Sequence, residues 1–366
     1  MQTIAIQNAK NLLVHGRISS ASAPLTLFWT GSGLEFDFKG TELWVEFETD
    51  YESFEQWISV MVNGTHIARL MLPKGRAWLP LLRGFDPSQI NRIEILKDVQ
   101  AMPNDESAKL QIHALKLEGE ILPIAQKNLK LEVIGDSITS GEGAIGAPEE
   151  TAWIPMWFCA AHSYGYLTGK LLDADTRILS QSGWGALTSW DNDPHCALPL
   201  YYEQVCGVLK GEKNAALGAK EKNDFKAWNA DVIVCNLGTN DGSAFFQPAW
   251  TDPETGIAYK QRSVDGIPVE EDIQKLKAAM IEFLVKLRKN NPHAHILWAY
   301  GMLGTPMQKV IEEAVEQYKA QYGDEKASFF QLPEMQPDGI GARSHPGLLT
   351  HQRAAEALAV KIRSLL

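Results

Sequence analysis

A change in the periodicity of the apolar residues near residue 125 constrains the fold of this chain more than any other feature of its sequence. Before that point, apolar and polar residues alternate in short runs such as residues 34–38 (LEFDF) and, apart from Trp44, residues 43–48 (LWVEFE). This is the period of a strand with one buried face. Glycine, proline and asparagine separate the runs, which favours an antiparallel β-sandwich or jelly roll.

The dipeptide Asn63-Gly64 predicts a hairpin within this region. A type I′ turn needs positive φ at both central residues, and Asn and Gly adopt that conformation most readily. We therefore expect the strand over residues 57–62 to return as a second strand over residues 67–70.

The periodicity of the apolar residues changes after Pro123. Three mostly apolar runs follow, over residues 129–134, 232–237 and 296–300. Three amphipathic helical patterns accompany them, over residues 271–290, 306–322 and 351–365. Apolar strands that alternate with helices predict an α/β domain with a mainly parallel sheet. The sequence thus predicts two domains, residues 1–125 and residues 126–366.

The charge balance and the cysteines argue against several functional classes. Lys and Arg number 34 and Asp and Glu number 45, a net charge of −11, whereas nucleic acid and anionic membranes attract basic surfaces. No apolar run reaches the roughly 20 residues of a membrane span. Residues 1–17 lack the pattern of a signal peptide, so we expect a cytoplasmic protein. The cysteines show no zinc-site spacing, and we expect neither a metal nor a cofactor.

A serine and a histidine offer a nucleophile and a base. Ser137 lies in residues 135–139 (GDSIT), after the strand predicted at 129–134, where open α/β sheets bind ligands. Its hydroxyl becomes a nucleophile when a base takes its proton. His345 precedes the last predicted helix and has the side chain best suited to proton exchange near neutral pH. Taken alone, each has a structural alternative, as a helix cap or a packing residue.

Two further blocks offer hydrogen-bond donors for an oxyanion. Residues 182–185 (SGWG) contain glycines, whose backbone N–H groups can approach a substrate oxygen closely. Asn240, in residues 238–241 (GTND), has a side-chain amide that can donate to a developing negative charge. A simple turn explains either block when it is considered alone.

The order Ser, Gly, Asn and His resembles the SGNH (GDSL-type) hydrolase superfamily. The resemblance implies a flavodoxin-like three-layer αβα domain with Ser137 as the nucleophile and His345 as the base. It also implies an oxyanion hole formed by the backbone N–H groups of Ser137 and Gly185 and by the side chain of Asn240.

With its β-rich N-terminal region and residues 28–33 (FWTGSG), the chain looks most like carbohydrate esterase family two. That resemblance implies a serine esterase that removes O-acetyl groups from sugars such as xylo- or gluco-oligosaccharides. Two alternatives are a lipid or thioester hydrolase of the same superfamily and an inactive glycan-binding protein. The presence of Ser137, Asn240 and His345 together counts against the binding protein.

The chain departs from the superfamily at the residue that orients the histidine. The superfamily usually places an Asp two or three residues before it, where this chain has Arg343 and Ala342. Asp338, seven residues before His345, is the remaining candidate for a third member. We favour a Ser–His dyad in which the Nδ1–H of His345 donates to a backbone carbonyl or another acceptor.

Tryptophans in the C-terminal part are candidates for contact with a sugar ring. Five of them follow predicted strands, at Trp153, Trp157, Trp184, Trp190 and Trp250. Core packing is the alternative, because a Trp side chain buries a large apolar area. Trp184, between the two glycines of residues 182–185, is the predicted substrate-binding residue.

Overall fold

Nine antiparallel strands form one sheet in the first part of the computed structural model, which describes residues 1–366. The strands are Gln2–Ala5, Leu13–His15, Leu25–Thr26, Gly33–Asp50, Trp57–Val62, Thr65–Met71, Gly75–Arg83, Ile90–Lys97 and Lys109–Leu122. Strand Gly33–Asp50 pairs with Lys109–Leu122 along one side. On its other side it pairs first with Ile90–Lys97 and then with Gly75–Arg83. The pairing of these two long strands shifts register between Gly40 and Glu42, as it does at a β-bulge.

Alternation along strand Gly33–Asp50 explains how this sheet encloses a core. Phe36, Phe38, Val45 and Phe47 are buried in one apolar cluster, whereas the residues between Phe36 and Phe38 and between Val45 and Phe47 are partly exposed. Opposite faces of the strand therefore meet core and solvent. The antiparallel fold predicted for this region is confirmed.

The hairpin predicted at Asn63-Gly64 is also confirmed. The two residues have φ of 53° and 77°, as a type I′ turn requires. They join strands Trp57–Val62 and Thr65–Met71.

Five parallel strands form the sheet of the second part. In spatial order they are Ala174–Ser180, Leu129–Gly135, Val232–Asn236, His295–Tyr300 and Ala327–Gln331. Numbered along the chain, this is the flavodoxin-like order 2-1-3-4-5. The order reverses between Leu129–Gly135 and Val232–Asn236, so the crevice that open α/β sheets use for ligands lies at the carboxyl ends of these two strands.

Helices cover both faces of the parallel sheet. They are Ser137–Ser140, Tyr164–Leu172, Thr239–Ala244, Glu270–Asn290, Gln308–Tyr322 and Leu348–Arg363. With the usual right-handed crossovers, the reversal of strand order puts Tyr164–Leu172 on one face and Glu270–Asn290 on the other, where it packs against Gln308–Tyr322. Leu348–Arg363 packs against Tyr164–Leu172. The parallel α/β architecture predicted from the sequence is confirmed.

Three short elements lie outside the two main sheets. They are helix Gly211–Ala216, the hairpin of Trp250–Thr251 with Ala258–Tyr259, and the hairpin of Ser263–Val264 with Ile267–Pro268. None of the helices is long and apolar enough to cross a lipid bilayer.

The chain divides into two compact units. The first contains residues 1–128, 152–161 and 203–223, and the second contains 129–151, 162–202 and 224–366. Two later segments thus pack with the first unit, which a single boundary at residue 125 does not include. Every residue of the site described next belongs to the second unit.

Candidate active site

Ser137 begins a short helix directly after strand Leu129–Gly135. The Asp136 carboxylate caps that helix by accepting the Ile138 N–H at 3.0 Å. A Cβ on Gly135 would lie 2.1 Å from Thr139 Oγ1, so the tight turn from strand to helix requires glycine there. The turn holds the Ser137 hydroxyl at the carboxyl end of the sheet, beside the switch point.

His345 contacts the Ser137 hydroxyl. The distance between His345 Nε2 and Ser137 Oγ is 2.9 Å, and His345 Nδ1 lies 2.9 Å from the carbonyl oxygen of Arg343. A carbonyl oxygen only accepts hydrogen bonds, so Nδ1 carries the ring proton and Nε2 is the free acceptor. The histidine therefore has the tautomer that a general base needs.

The backbone before His345 is strained. Arg343 and Ser344 have φ of 57° and 56°, the left-handed region that side chains other than glycine rarely adopt. Such conformations cost on the order of 1–3 kcal/mol each and persist where the surroundings enforce them. The Arg343 N–H donates to the Glu150 carbonyl at 2.7 Å, which is one of the contacts that hold the turn.

Asp338 does not reach the histidine. Its carboxylate forms two hydrogen bonds with Arg353, at 2.8 and 2.7 Å, and 58% of its side chain is exposed. This ion pair lowers the pKa of Asp338. The structure thus places a backbone carbonyl, and not Asp338, against His345 Nδ1.

A buried acid that the sequence analysis did not single out lies beside the pair. Glu142 accepts the Arg343 Nε–H at 2.7 Å and the Ser182 hydroxyl at 2.6 Å. Its Oε1 atom lies 3.8 Å from His345 Nε2. The only signal in the sequence is its position between Gly141 and Gly143, shortly after the nucleophile block.

Asn240 lies at the switch point with its amide turned toward the residues of the other blocks. Its Nδ2 donates to the Trp184 carbonyl at 2.9 Å and lies 3.3 Å from Asp136 Oδ2. Burial, followed by the nearby carboxylates of Asp241 and Glu142, raises the pKa of Asp136 to about 7. Asn240 thus connects the nucleophile block to the glycine block.

Asp241 organises the segment that follows Gly185. Its carboxylate accepts the N–H groups of Ala186 at 2.8 Å, Leu187 at 2.8 Å and Thr188 at 3.2 Å. A Cβ on Gly185 would lie 2.4 Å from this carboxylate, so the close approach requires glycine. The Gly185 carbonyl accepts the Leu198 N–H at 3.1 Å. Asp241 was not among the predicted site residues, although it directly follows Asn240.

Trp184 is 6% exposed, with its ring 5.5 Å from the Tyr201 ring. Little of its ring surface is left for a sugar, which is at odds with the predicted stacking role. Trp190 differs because it is 47% exposed, and its backbone N–H donates to the Gly183 carbonyl at 2.9 Å. It is therefore the more exposed of the two tryptophans near the glycine block.

The sequence and the fold of this chain are similar to those of known esterases. Residues 131–358 match the family described as GDSL-like lipase/acylhydrolase. The solved structure of an acetyl xylan esterase from the rumen bacterium Butyrivibrio proteoclasticus is 43% identical, with a TM-score of 0.97, over 99% of this chain and 98% of that chain. A family two carbohydrate esterase from Clostridium thermocellum, solved with cellohexaose, is 24% identical with a TM-score of 0.80, over 96% and 98% of the two chains.

A curated relative is much longer than this chain. The cellulase/esterase CelE of Acetivibrio thermocellus is 25% identical over 92% of this chain, which spans 37% of that protein.

Proposed function

Because the chain belongs to the GDSL-like lipase/acylhydrolase family, we propose that it is a serine esterase that removes O-acetyl groups from sugars. The observation that carries this proposal is the 2.9 Å contact between Ser137 Oγ and His345 Nε2, the ring nitrogen that the contact of Nδ1 with a carbonyl leaves as the acceptor. A serine hydroxyl paired with such a nitrogen is the arrangement that acyl transfer requires.

The first half of the proposed reaction forms an acetyl-enzyme. His345 Nε2 takes the hydroxyl proton as Ser137 Oγ attacks the acetyl carbonyl carbon. The carbonyl π electrons move to oxygen, giving a tetrahedral oxyanion, and the C–O bond to the sugar then breaks. The protonated His345 gives its proton to the departing sugar oxygen, so the alcohol leaves neutral.

The second half repeats these steps with water in place of serine. His345 takes a proton from the water, the water oxygen attacks the acetyl carbon, and the bond to Ser137 Oγ breaks. The histidine proton returns to the serine, and acetic acid leaves and ionises in solution. Atoms and charges balance without any further reactant.

The oxyanion is stabilised in this proposal by the N–H groups of Ser137 and Gly185 and by the Asn240 amide. Asn240 makes a 2.9 Å bond to Trp184 and a longer, 3.3 Å contact to Asp136. Breaking the longer contact to Asp136 costs less free energy than breaking the bond to Trp184. The N–H that points to Asp136 is therefore the one that can turn to a substrate oxygen. Asn240 is thus able to donate to the oxyanion while it keeps its bond to the Trp184 carbonyl.

The proposed substrates are acetylated xylo- and gluco-oligosaccharides. Two observations support this choice: the 43% identity to an acetyl xylan esterase, and the cellohexaose complex of a relative with the same fold. The exposed ring of Trp190 adds a surface on which a sugar ring can pack.

Acetate release from acetylated oligosaccharides, compared with hydrolysis of p-nitrophenyl esters of rising chain length, tests the proposal. The wild-type chain should release acetate from the sugars and should lose activity as the acyl chain lengthens. Activity confined to long chains would favour the lipid hydrolase, and no hydrolysis of any ester would favour the glycan-binding protein.

Two serine variants complete this experiment. Ser137→Ala should abolish hydrolysis without changing the melting temperature. Ser140→Ala is the matched control, because it removes a buried hydroxyl from the same short helix, one that donates to Ser180 Oγ at 2.9 Å. Full activity of Ser137→Ala would refute the assignment of the nucleophile.

A further inference from the structure

Glu142 is a buried carboxylate that the proposed reaction does not use. It is 1% exposed, and its side chain contacts Arg343, Ser182 and His345, which all belong to the site. Burying a charged carboxylate costs a large free energy of desolvation unless the group is paired and hydrogen-bonded. The pairing with Arg343 and the bond from Ser182 meet that requirement.

Arg343 connects this carboxylate to the histidine. Its Nε–H donates to Glu142, its Nη1 donates to the Thr151 carbonyl at 3.1 Å, and its own carbonyl accepts from His345 Nδ1. The side chain is therefore fixed at two points while the backbone adopts the unfavourable left-handed conformation. These contacts keep the carbonyl oxygen aimed at the imidazole.

We propose that Glu142 and Arg343 are positioning residues that together replace the triad aspartate. Glu142 holds the Arg343 side chain, and Arg343 thereby presents its carbonyl oxygen to His345 Nδ1. The inference rests on the proposed function, because it assigns both residues to the reaction of Ser137 and His345.

The atom that orients the imidazole ring is not the one used in the usual triad. In a triad, the aspartate carboxylate itself accepts the Nδ1–H. Here the carboxylate acts through an arginine, and the acceptor is a backbone atom that no side-chain substitution removes. Loss of either side chain should therefore misplace the ring without deleting the acceptor.

Glu142→Gln and Arg343→Gln test this role. Gln at residue 142 keeps the shape and an acceptor oxygen but removes the charge, and Gln at residue 343 removes the guanidinium. Each variant should lower kcat roughly 10- to 100-fold, the loss expected from misplacing a reacting group by about 1 Å. KM should stay within about twofold of wild type, because neither side chain holds substrate in this proposal.

A conservative variant and a double variant separate positioning from general stability. Arg343→Lys keeps a charge that can pair with Glu142, so it should retain several-fold more activity than Arg343→Gln. The double variant Glu142→Gln/Arg343→Gln should be no slower than Arg343→Gln alone, because the two residues act as one unit. Independent, multiplied losses in the double variant would overturn the proposal.

The matched control is Arg353→Gln, which breaks the exposed pair with Asp338 and should keep wild-type kcat. If Glu142→Gln fails to fold, Arg343→Gln decides, because the Arg343 side chain is 29% exposed and its loss leaves no large cavity. Wild-type kcat in a folded Arg343→Gln protein would overturn the proposal.

Labelling of Ser137 by an organophosphate keeps this test separate from the proposed function. The labelling rate reports the reactivity of the Ser137 hydroxyl and needs no sugar ester. It should fall in Glu142→Gln and Arg343→Gln by the same factor as kcat. A wild-type chain that labels rapidly but releases no acetate contradicts the sugar substrate, whereas labelling at equal rates in wild type and both variants contradicts the positioning role.

Discussion

His345 and His351 lie six residues apart, and they meet opposite surroundings. His345 ends the strained turn before the last helix, with 17% of its side chain exposed and Ser137 Oγ at Nε2. His351 lies inside helix Leu348–Arg363 and is fully buried, with its ring stacked 6.2 Å from the Tyr164 ring.

The two rings also have opposite tautomers. His345 Nδ1 faces a carbonyl and must donate, whereas His351 Nδ1 accepts the Tyr164 N–H at 3.1 Å and must be unprotonated. Burial, with smaller contributions from His162 and His345, lowers the pKa of His351 to about 3. Partial exposure and a hydroxyl partner, more than residue type or position along the chain, thus make a histidine able to exchange protons.

The largest effect on activity is expected at His345. His345→Ala should reduce ester hydrolysis on the order of 10⁴-fold or more, because it removes the base for both steps. The melting temperature should hardly change, since the ring is partly exposed. The measurement is kcat on an acetyl ester beside thermal unfolding. Near wild-type turnover would remove His345 from the mechanism.

A smaller loss of activity is expected from Asn240→Ala, which leaves the contact between His345 and Ser137 intact. Loss of one oxyanion donor should lower kcat roughly 10²- to 10³-fold while His345 and Ser137 stay in place. Organophosphate labelling and kcat should both fall, because both reactions build charge on an oxygen. An unchanged kcat would show that Asn240 only links its neighbours.

His351→Gln should instead change how stability depends on pH. The pKa of His351 is about 3 in the folded protein and 6.5 as its reference value. Between pH 3 and pH 6.5 the unfolded chain therefore binds a proton at His351 that the folded protein does not bind. The contribution of neutral His351 to the free energy of unfolding is thus complete above pH 6.5 and is lost as the pH falls toward 3. Replacing the histidine should remove up to about 1.4 kcal/mol per pH unit from the slope of unfolding free energy across that window.

Urea unfolding of wild type and His351→Gln at several pH values from 4 to 8 measures this slope. Turnover at neutral pH should be retained in the variant, unlike that of His345→Ala. Parallel stability curves for the two proteins would mean that His351 is not the group that titrates.

The smallest effect is expected at Asp338. Asp338→Asn should keep kcat within about twofold of wild type, because the carboxylate is exposed and paired with Arg353. The assay is the one used for His345→Ala. A loss as large as that of His345→Ala would show that Asp338 approaches the histidine during turnover, and the dyad would be wrong.

Local patterns in the sequence predicted much of this fold. The helix predicted over residues 271–290 is Glu270–Asn290, and its apolar face is buried as the periodicity indicated. The Asn63-Gly64 turn likewise depends only on the conformational preferences of two residues. Strand Ala327–Gln331 was missed because it is short and lies at a sheet edge, and its sequence, ASFFQ, has neither a strict alternation nor a long apolar run.

The candidate site was predictable where its chemistry follows the strands. Ser137 and Asn240 follow neighbouring parallel strands, so topology alone brings them to one edge. Glu142 was not predictable in the same way, because its partner Arg343 lies 201 residues further along the chain. Contacts at that distance depend on how loops fold back, and no local pattern encodes them.

Asp241 has a consequence for the energetics of binding. One carboxylate accepts three successive backbone N–H groups, so the segment after Gly185 is ordered before any ligand arrives. A substrate that binds against this segment loses its own translational and rotational entropy, but the binding does not also have to order the loop. Calorimetry with a slow-reacting substrate analogue should therefore give a heat capacity change that reflects the apolar area covered, without the larger change that accompanies coupled folding.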